Sequence, residues 1–114
     1  MQHWERMITI LQNKDVTDRI LFEMKDGDEI YGTVSGVIDG DTITISTLES
    51  QMEMFYDGLV RAILAFADNR FVKTAVFAID DERKLYRLKG FGFITDEDKV
   101  LPDIQAFFKE DSCG

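Results

Sequence analysis

Short apolar runs separated by Asp-Gly turns fill the first half of the chain. They cover residues 19–24, 29–38 and 42–48, and the third run alternates strictly between apolar and polar side chains. Such alternation is typical of a half-buried strand, and Asp-Gly between two runs favours a tight hairpin turn because glycine tolerates positive φ. The pattern predicts three antiparallel strands joined as a meander, while residues 7–17 fit either a further strand or a turn.

The second half of the chain changes to the period of an α-helix. Apolar residues recur three and four positions apart in three segments, at residues 54–68, 82–89 and 101–108. This spacing predicts helices, and the broad apolar arc of the first one indicates that it packs against a sheet. Asp80 or Asp81 can cap the second helix at its start, and Gly90 can end it.

Two continuous apolar runs lie beside these helices, at residues 72–79 and 91–94. Runs of this kind predict buried strands. The order of elements therefore predicts an α/β (α+β) fold class with a mixed, mostly antiparallel sheet, in which the meander is followed by a strand-helix-strand unit. The 114 residues fit one domain, residues 1–114.

The charge balance excludes several kinds of partner. The chain carries 22 acidic and 13 basic residues, for a net charge of −9, whereas nucleic acids and anionic membranes demand a basic face. No apolar run approaches the roughly 18 residues of a membrane span. The single cysteine, Cys113, excludes an internal disulfide and favours a cytoplasmic location. We therefore expect a cytoplasmic protein whose partner is a small molecule or another protein.

Three segments, taken in order, resemble the GNAT superfamily of N-acetyltransferases. Residues 26–32 (DGDEIYG) are similar to the family's entry into its third strand. Residues 59–67 (LVRAILAFA) are similar to the helix that follows the acyl-coenzyme A loop, and residues 85–91 (LYRLKGF) to a tyrosine-containing segment near the end of the fold. The resemblance covers about two-thirds of the chain and implies a shortened GNAT-like fold.

The resemblance also implies a site. In the family, acyl-coenzyme A lies between two strands that part, and its diphosphate is bound by N–H groups at the start of the next helix, where an anion is favoured. Tyr86 would protonate the leaving thiolate, and Glu49 would be a base. If acetyl-coenzyme A binds, the residues expected to contact it are Leu48, Gln51, Phe55, Tyr56, Asp57 and Gly58.

The coenzyme loop of this chain departs from the family pattern. The two positions at which the family has small residues fall on Met54 and Tyr56, and Glu53 and Asp57 add negative charge beside them. Side chains there obstruct the approach of backbone to phosphate, and like charge opposes it. These departures predict a degenerate loop and no resident cofactor, with acetyl-coenzyme A as the one cofactor that the resemblance suggests.

The chain is also short before its first matched strand. About 18 residues precede Arg19, where the family has a strand and two helices, so the N-terminal helical layer is largely absent. Apolar sheet surface left uncovered in this way favours association of two copies. We therefore expect a homodimer.

Other catalytic chemistry has little support in the sequence. His3 is the only histidine and lies near the start of the chain, and Cys113 is followed only by Gly114. One Cys and one His cannot complete a zinc site, and none of the three Asp-rich turns fits a calcium loop. We predict no metal site.

Three functions follow from these features. The first is a non-catalytic GNAT-like module that binds a partner protein or small ligand in the cleft between strands near Thr47 and Thr74. The second is an active acyl-coenzyme A-dependent N-acyltransferase that acts on a small amine or a protein amine. The third is a small acidic inhibitor or immunity protein, for which a charge of −9 suits a basic target.

Overall fold

The computed structural model describes residues 8–96 and 98–113, with side chains described as far as residue 109. This part of the chain forms four strands followed by three helices that alternate with two further strands. The strands are β1 (Thr9–Gln12), β2 (Ile20–Asp26), β3 (Glu29–Asp39), β4 (Thr42–Ser50), β5 (Thr74–Phe77) and β6 (Val100–Leu101). The helices are α1 (Phe55–Asp68), α2 (Glu82–Phe91) and α3 (Ile104–Cys113).

The six strands form one sheet in chain order, β1 to β6. Neighbouring strands are antiparallel except β4 and β5, which are parallel because α1 crosses between them. The expected class, a mixed and mostly antiparallel sheet with a meander followed by strand-helix-strand, is confirmed. Of the ambiguous stretch at residues 7–17, Thr9–Gln12 forms the edge strand.

One face of the sheet carries the helices and the core. The inward side chains of β3, β4 and β5, among them Val34, Ile45 and Phe77, are fully buried with the apolar arc of α1. Gly32 lets α1 approach, since a Cβ there would lie 2.8 Å from Leu59 Cδ1 and 2.9 Å from the Glu49 carbonyl oxygen. The position tolerates no side chain without a shift of helix or strand.

The opposite face carries no helix among the described residues. Its side chains on β3 and β4 are mainly short and polar, as at Thr33, Thr44, Ser46 and Thr47. Within the described part of the chain, no helix has both the length and the hydropathy needed to span a membrane.

The end of α2 differs from the prediction. The helix continues through Gly90 to Phe91 and ends at Gly92, whose φ of 91° is left-handed. Phe93 N–H donates to Leu88 O and Gly92 N–H to Lys89 O, each at 3.0 Å, which is the Schellman arrangement. The predicted cap at the start of α2 is confirmed as Asp81, which accepts from the Lys84 N–H at 3.0 Å.

The strand predicted at residues 91–94 is wrong. Phe93 and Ile94 follow Gly92 in an irregular segment and are buried, with the Phe93 ring 6.4 Å from Phe77 and 5.0 Å from Phe107. An apolar run indicates burial, and a loop that inserts its rings into the core satisfies the same requirement.

The last strand and helix are also shifted from their predicted places. Leu101 belongs to β6 and pairs with Ala75, so the helix predicted from residue 101 begins at Ile104. Asp103 starts it by accepting from the Ala106 N–H at 3.0 Å. The strand predicted over residues 72–79 is shorter, Thr74–Phe77.

The end of α1 carries an unusual residue. Val72 N–H donates to Ala67 O and Phe71 N–H donates to Asp68 O, each at 3.0 Å, so α1 ends in the same Schellman arrangement as α2. The left-handed position is Gly92 in α2 and Phe71, with φ of 63°, in α1. A left-handed backbone costs an L side chain about 1–2 kcal/mol, and the Phe71 side chain is 91% exposed, so burial does not offset this strain.

We expect Phe71→Gly to stabilise the isolated fold. Relief of the left-handed strain, partly offset by the greater freedom of glycine in the unfolded chain, should leave a gain of about 1 kcal/mol. Thermal unfolding followed by circular dichroism should then show an increase in Tm of about 4 °C. Phe71→Ala removes the ring but keeps Cβ, so its Tm should remain close to that of the parent chain. An equal increase in both variants would show that the exposed ring, and not the backbone, is the source of the strain.

Candidate functional site

The two parallel strands of the sheet separate partway along β4. Their last paired residues are Ile45 and Phe77, and the Ala78 N–H still donates to Ile45 O at 2.8 Å. β4 then continues to Ser50 while the chain after β5 leaves toward α2. A register shift beside Ser35 and Gly36 falls at the same level and re-aims β4. We call the space between residues 46–50 and α2 the strand gap.

Ion pairs from α2 cross the strand gap. Lys84 Nζ lies 3.0 Å from Glu49 Oε2, and its side chain is only 17% exposed. Arg83 Nε donates to Glu53 Oε2 at 2.6 Å, and Arg87 Nε lies 3.7 Å from Glu53 Oε1. These five residues, the bridging cluster, join the end of β4 and the loop before α1 to α2.

Glu53 is the centre of the bridging cluster. The hydrogen bond from Arg83 holds the pKa of the Glu53 carboxyl below its ordinary value, and the charges of both arginines act in the same direction. The same hydrogen bond raises the pKa of Arg83. Both groups therefore stay charged at neutral pH. The negative charge that the sequence places beside the expected phosphate position is compensated by two cations from the chain itself.

Four N–H groups in and next to the loop before α1 are used within the chain. Phe55 N–H donates to Met52 O at 3.1 Å and Tyr56 N–H to Glu53 O at 3.0 Å. Met52 N–H donates to Ser50 Oγ at 3.2 Å, and Gln51 N–H donates to Tyr31 O at 3.0 Å. A diphosphate bound here would have to replace these hydrogen bonds, because a helix start binds an anion only through donors that it has left over.

Two of the residues expected to contact coenzyme lie in the core instead, and a third packs against the sheet. Leu48 and Tyr56 are buried among the core side chains, and burial raises the pKa of the Tyr56 phenol. Gly58 is a packing position, since a Cβ there would lie 3.3 Å from Ile10 Cδ1. The side of α1 that carries Tyr56 and Gly58 is directed at the sheet.

The other three lie closer to solvent. Gln51 is exposed, and Phe55 packs its ring 6.3 Å from that of Tyr31. Asp57 accepts a hydrogen bond from Arg61 Nε at 2.9 Å, four positions along α1. Each therefore has a local structural role.

The structure does not bring Tyr86 and Glu49 together. Glu49 lies at the strand gap with Lys84, whereas Tyr86 lies two positions after Lys84, on the opposite face of α2. The Tyr86 side chain is 62% exposed and lines two open depressions of about 400 Å³ and 530 Å³. α2 would have to rotate about its own axis to bring Tyr86 to the strand gap.

Sequence reasoning missed the three cations of the bridging cluster. The sequence pattern gives Arg83, Lys84 and Arg87 no partner outside their own helix. Their partners lie 30 to 35 positions earlier in the chain, and no local pattern encodes that pairing. The spacing of Arg83 and Arg87, one helical turn apart, is the one available signal.

The described residues form no cluster suited to metal binding. No group of three or more His, Cys, Asp or Glu side chains is placed to hold a metal ion in that part of the chain. His3 and the side chain of Cys113 lie outside the described side chains.

No protein-family model matches the sequence, no curated protein is similar to it, and no solved structure matches its fold. The resemblance to N-acetyltransferases therefore rests on the three sequence segments alone. The contacts of the strand gap carry the functional argument.

We expect Glu53→Gln to change how stability depends on pH. The pKa of Glu53 is lowered on folding, so its stabilising contribution is complete above the unfolded pKa, about 4.5. That contribution is lost as the pH falls through the lower folded pKa. The Tm difference between parent and variant should be largest at pH 6–7 and should shrink as the pH falls below about 4.5.

The matched control for this measurement is Glu82→Gln. Glu82 is an exposed carboxylate in the first turn of α2 and makes no ion pair with any described residue. The Tm difference for this variant should be smaller at pH 6–7. A Glu53→Gln difference that is the same at pH 3 and pH 7 would contradict a role for the ionised carboxylate.

Proposed function

We propose that this chain is a non-catalytic module of GNAT-like plan that binds a partner protein and no coenzyme. The observation that carries the proposal is the bridging cluster, in which Glu53 is bound by Arg83 and Arg87 across the strand gap. The chain's own carboxylate then lies beside the place that the resemblance gives to the diphosphate of acyl-coenzyme A. The lone cysteine favours a cytoplasmic setting for this role.

Electrostatics supports the proposal. A diphosphate at the start of α1 would approach two carboxylates, Glu49 and Glu53, and would need the cations that now neutralise them. Each cation taken by the ligand leaves a carboxylate unpaired, so ligand binding gains little net charge neutralisation. Repulsion between the remaining like charges opposes it further.

The backbone supports the proposal independently. Phe55 and Tyr56 would offer their N–H groups to the diphosphate, but both donate to carbonyls of the loop. Breaking such bonds without replacing every partner leaves polar groups unsatisfied. Met54 and Tyr56 also carry side chains at the two positions where the family has small residues.

A protein partner fits the geometry better than a small ligand in the gap. Lys84 and Glu49 span the space into which a small ligand would have to insert. The outer face of α2, by contrast, presents Tyr86 to solvent, 5.7 Å from the guanidinium carbon of Arg83, whose side chain is itself largely exposed while it reaches Glu53. Exposed Arg and Tyr side chains of this kind are frequent anchors of protein interfaces.

One observation favours a second candidate, an acyl-coenzyme A-dependent N-acyltransferase. The separation of β4 from β5 after Ile45 and Phe77 agrees with the parted strands that the resemblance implies. In that function a substrate amine would attack the thioester carbonyl, and a general acid would return a proton to the coenzyme thiolate. Tyr86 would need a rotated α2 to act as that acid.

Calorimetric titration with acetyl-coenzyme A separates the two candidates. For the non-catalytic module we expect no saturable binding below about 1 mM, a free energy weaker than about 4 kcal/mol. We also expect no coenzyme release with spermine or a lysine peptide as acceptor. Thermal unfolding of the same sample shows that the protein is folded.

Tyr86→Phe is the matched variant for this experiment. The side chain is exposed, so the substitution should leave Tm unchanged. Like the parent, the variant should show neither binding nor turnover. Micromolar binding of acetyl-coenzyme A, or turnover that falls in Tyr86→Phe, would favour the acyltransferase and overturn the proposal.

A further inference from the structure

Gly90 lies in the last turn of α2 without a structural reason to be glycine. The helix continues past it to Phe91, and the left-handed position that ends the helix is Gly92. A Cβ built on Gly90 would meet no atom within 4 Å. Glycine is less favourable than alanine inside a helix, so neither backbone conformation nor packing accounts for this residue. A position without Cβ does let a ligand approach the backbone closely.

Gly90 forms part of a cavity on the outer side of α2. The cavity has a volume of about 400 Å³ and is lined by Tyr86, Arg87, Lys89, Gly90, Phe91 and Asp96. Tyr86 precedes Gly90 by about one helical turn, so the missing side chain leaves the space beside the Tyr86 ring open. We call this feature the Gly90 cavity.

Arg87 brings unused hydrogen-bond donors to the Gly90 cavity. Its Nε is buried and has no hydrogen-bond partner among the described residues. Glu53 Oε1, at 3.7 Å, lies too far away to accept from it, because Glu53 is bound instead by Arg83 at 2.6 Å. Arg87 is therefore the cation that the bridging cluster can release at least cost.

The Arg87 guanidinium is also held in place. Its central carbon lies 5.1 Å from the centroid of the Phe91 ring, within the range of a cation–π contact. A guanidinium that is held against a ring and has donors to spare is suited to a carboxylate, which it can bind through two parallel N–H groups.

The charges of the Gly90 cavity favour a ligand with one negative charge. Lys89 Nζ lies 3.3 Å from Asp96 Oδ1, and the Asp96 side chain is 90% exposed, so this pair is weak and easily separated. Two cations and one carboxylate leave one positive charge to be neutralised. The rings of Tyr86 and Phe91 beside the bare backbone of Gly90 favour a flat apolar group on the same ligand.

We propose that the Gly90 cavity binds a carboxylate that carries an aromatic ring. Arg87 and Lys89 hold the carboxylate, and the ring lies against Gly90 beside Tyr86 and Phe91. Asp96 competes with the ligand for Lys89 and limits its affinity.

This chemistry has two sources, a free aromatic acid and the C-terminal phenylalanine or tyrosine of another polypeptide. The inference goes beyond the proposed function and does not depend on it, because the Gly90 cavity lies outside the strand gap. Its test uses aromatic acids and no coenzyme, so a failure here is distinct from a failure of the acetyl-coenzyme A experiment.

Heteronuclear NMR titration of the purified chain with phenylacetate tests the proposal. We expect saturable shifts at the backbone amides of residues 86–91 and at the Arg87 side chain, with a Kd of about 1 mM. Phenylacetamide keeps the ring and lacks the charge, whereas acetate keeps the charge and lacks the ring. Each should bind at least tenfold more weakly than phenylacetate.

Three substitutions in the Gly90 cavity should change the affinity for phenylacetate. Arg87→Gln removes the guanidinium and Gly90→Leu fills the floor, so each should weaken binding at least tenfold. Leucine favours a helix, so the Tm of Gly90→Leu should not fall below that of the parent. Asp96→Asn removes the competing carboxylate and should tighten binding at least twofold.

Arg70→Gln is the matched control for Arg87→Gln. The Arg70 guanidinium also lies over a ring, 3.5 Å from the Phe66 centroid, but at the end of α1. This variant should bind phenylacetate like the parent.

A pentapeptide that ends in phenylalanine, with a free or an amidated C-terminus, identifies the source of the ligand. Binding of the free form at least tenfold tighter than phenylacetate indicates a polypeptide C-terminus, and equal or weaker binding indicates a free aromatic acid. The proposal is overturned by the absence of saturable shifts up to about 20 mM phenylacetate, by equal binding of phenylacetamide, or by affinity unchanged in both Arg87→Gln and Gly90→Leu.

Discussion

The short parallel pairing of β4 with β5 determines how the rest of the molecule is arranged. Only four residue pairs join the two strands. The chain enters β5 from α1 and leaves it for α2, so β5 is much shorter than β4. Beyond Ile45, β4 no longer has β5 beside it, and side chains from α2 bridge the interval. The crossover places all three helices on one side of the sheet and creates the strand gap.

The bridging cluster neutralises the carboxylates of this acidic chain at the strand gap. Glu49 and Glu53 would repel one another and any anion, but Lys84, Arg83 and Arg87 neutralise them from α2. Exposed ion pairs stabilise a fold little, so the importance of these pairs lies in what they exclude. They occupy donors and space that a phosphorylated ligand would require, and for that reason the proposed function is binding without coenzyme.

The ends of α1 and α2 give an internal comparison. Both helices end in the same pair of backbone hydrogen bonds, yet one uses glycine and the other a solvent-exposed phenylalanine at the left-handed position. The left-handed backbone conformation favours glycine at both positions. None of the described contacts offsets the strain at Phe71, whose side chain is 91% exposed.

Local patterns in the sequence determined the meander, helix α1, an aspartate cap at residue 80 or 81 and the α+β class, because turn residues and the periods of strand and helix act over a few neighbouring positions. They indicated that Phe93 and Ile94 are buried but assigned them to a strand, since an apolar run reports burial and not backbone conformation. Tertiary structure alone decided that Leu101 pairs with Ala75, that Glu53 meets arginines 30 and 34 positions away, and that Phe71 points into solvent. Contacts between distant segments depend on how the helices and the sheet pack, and no short stretch of sequence contains that information.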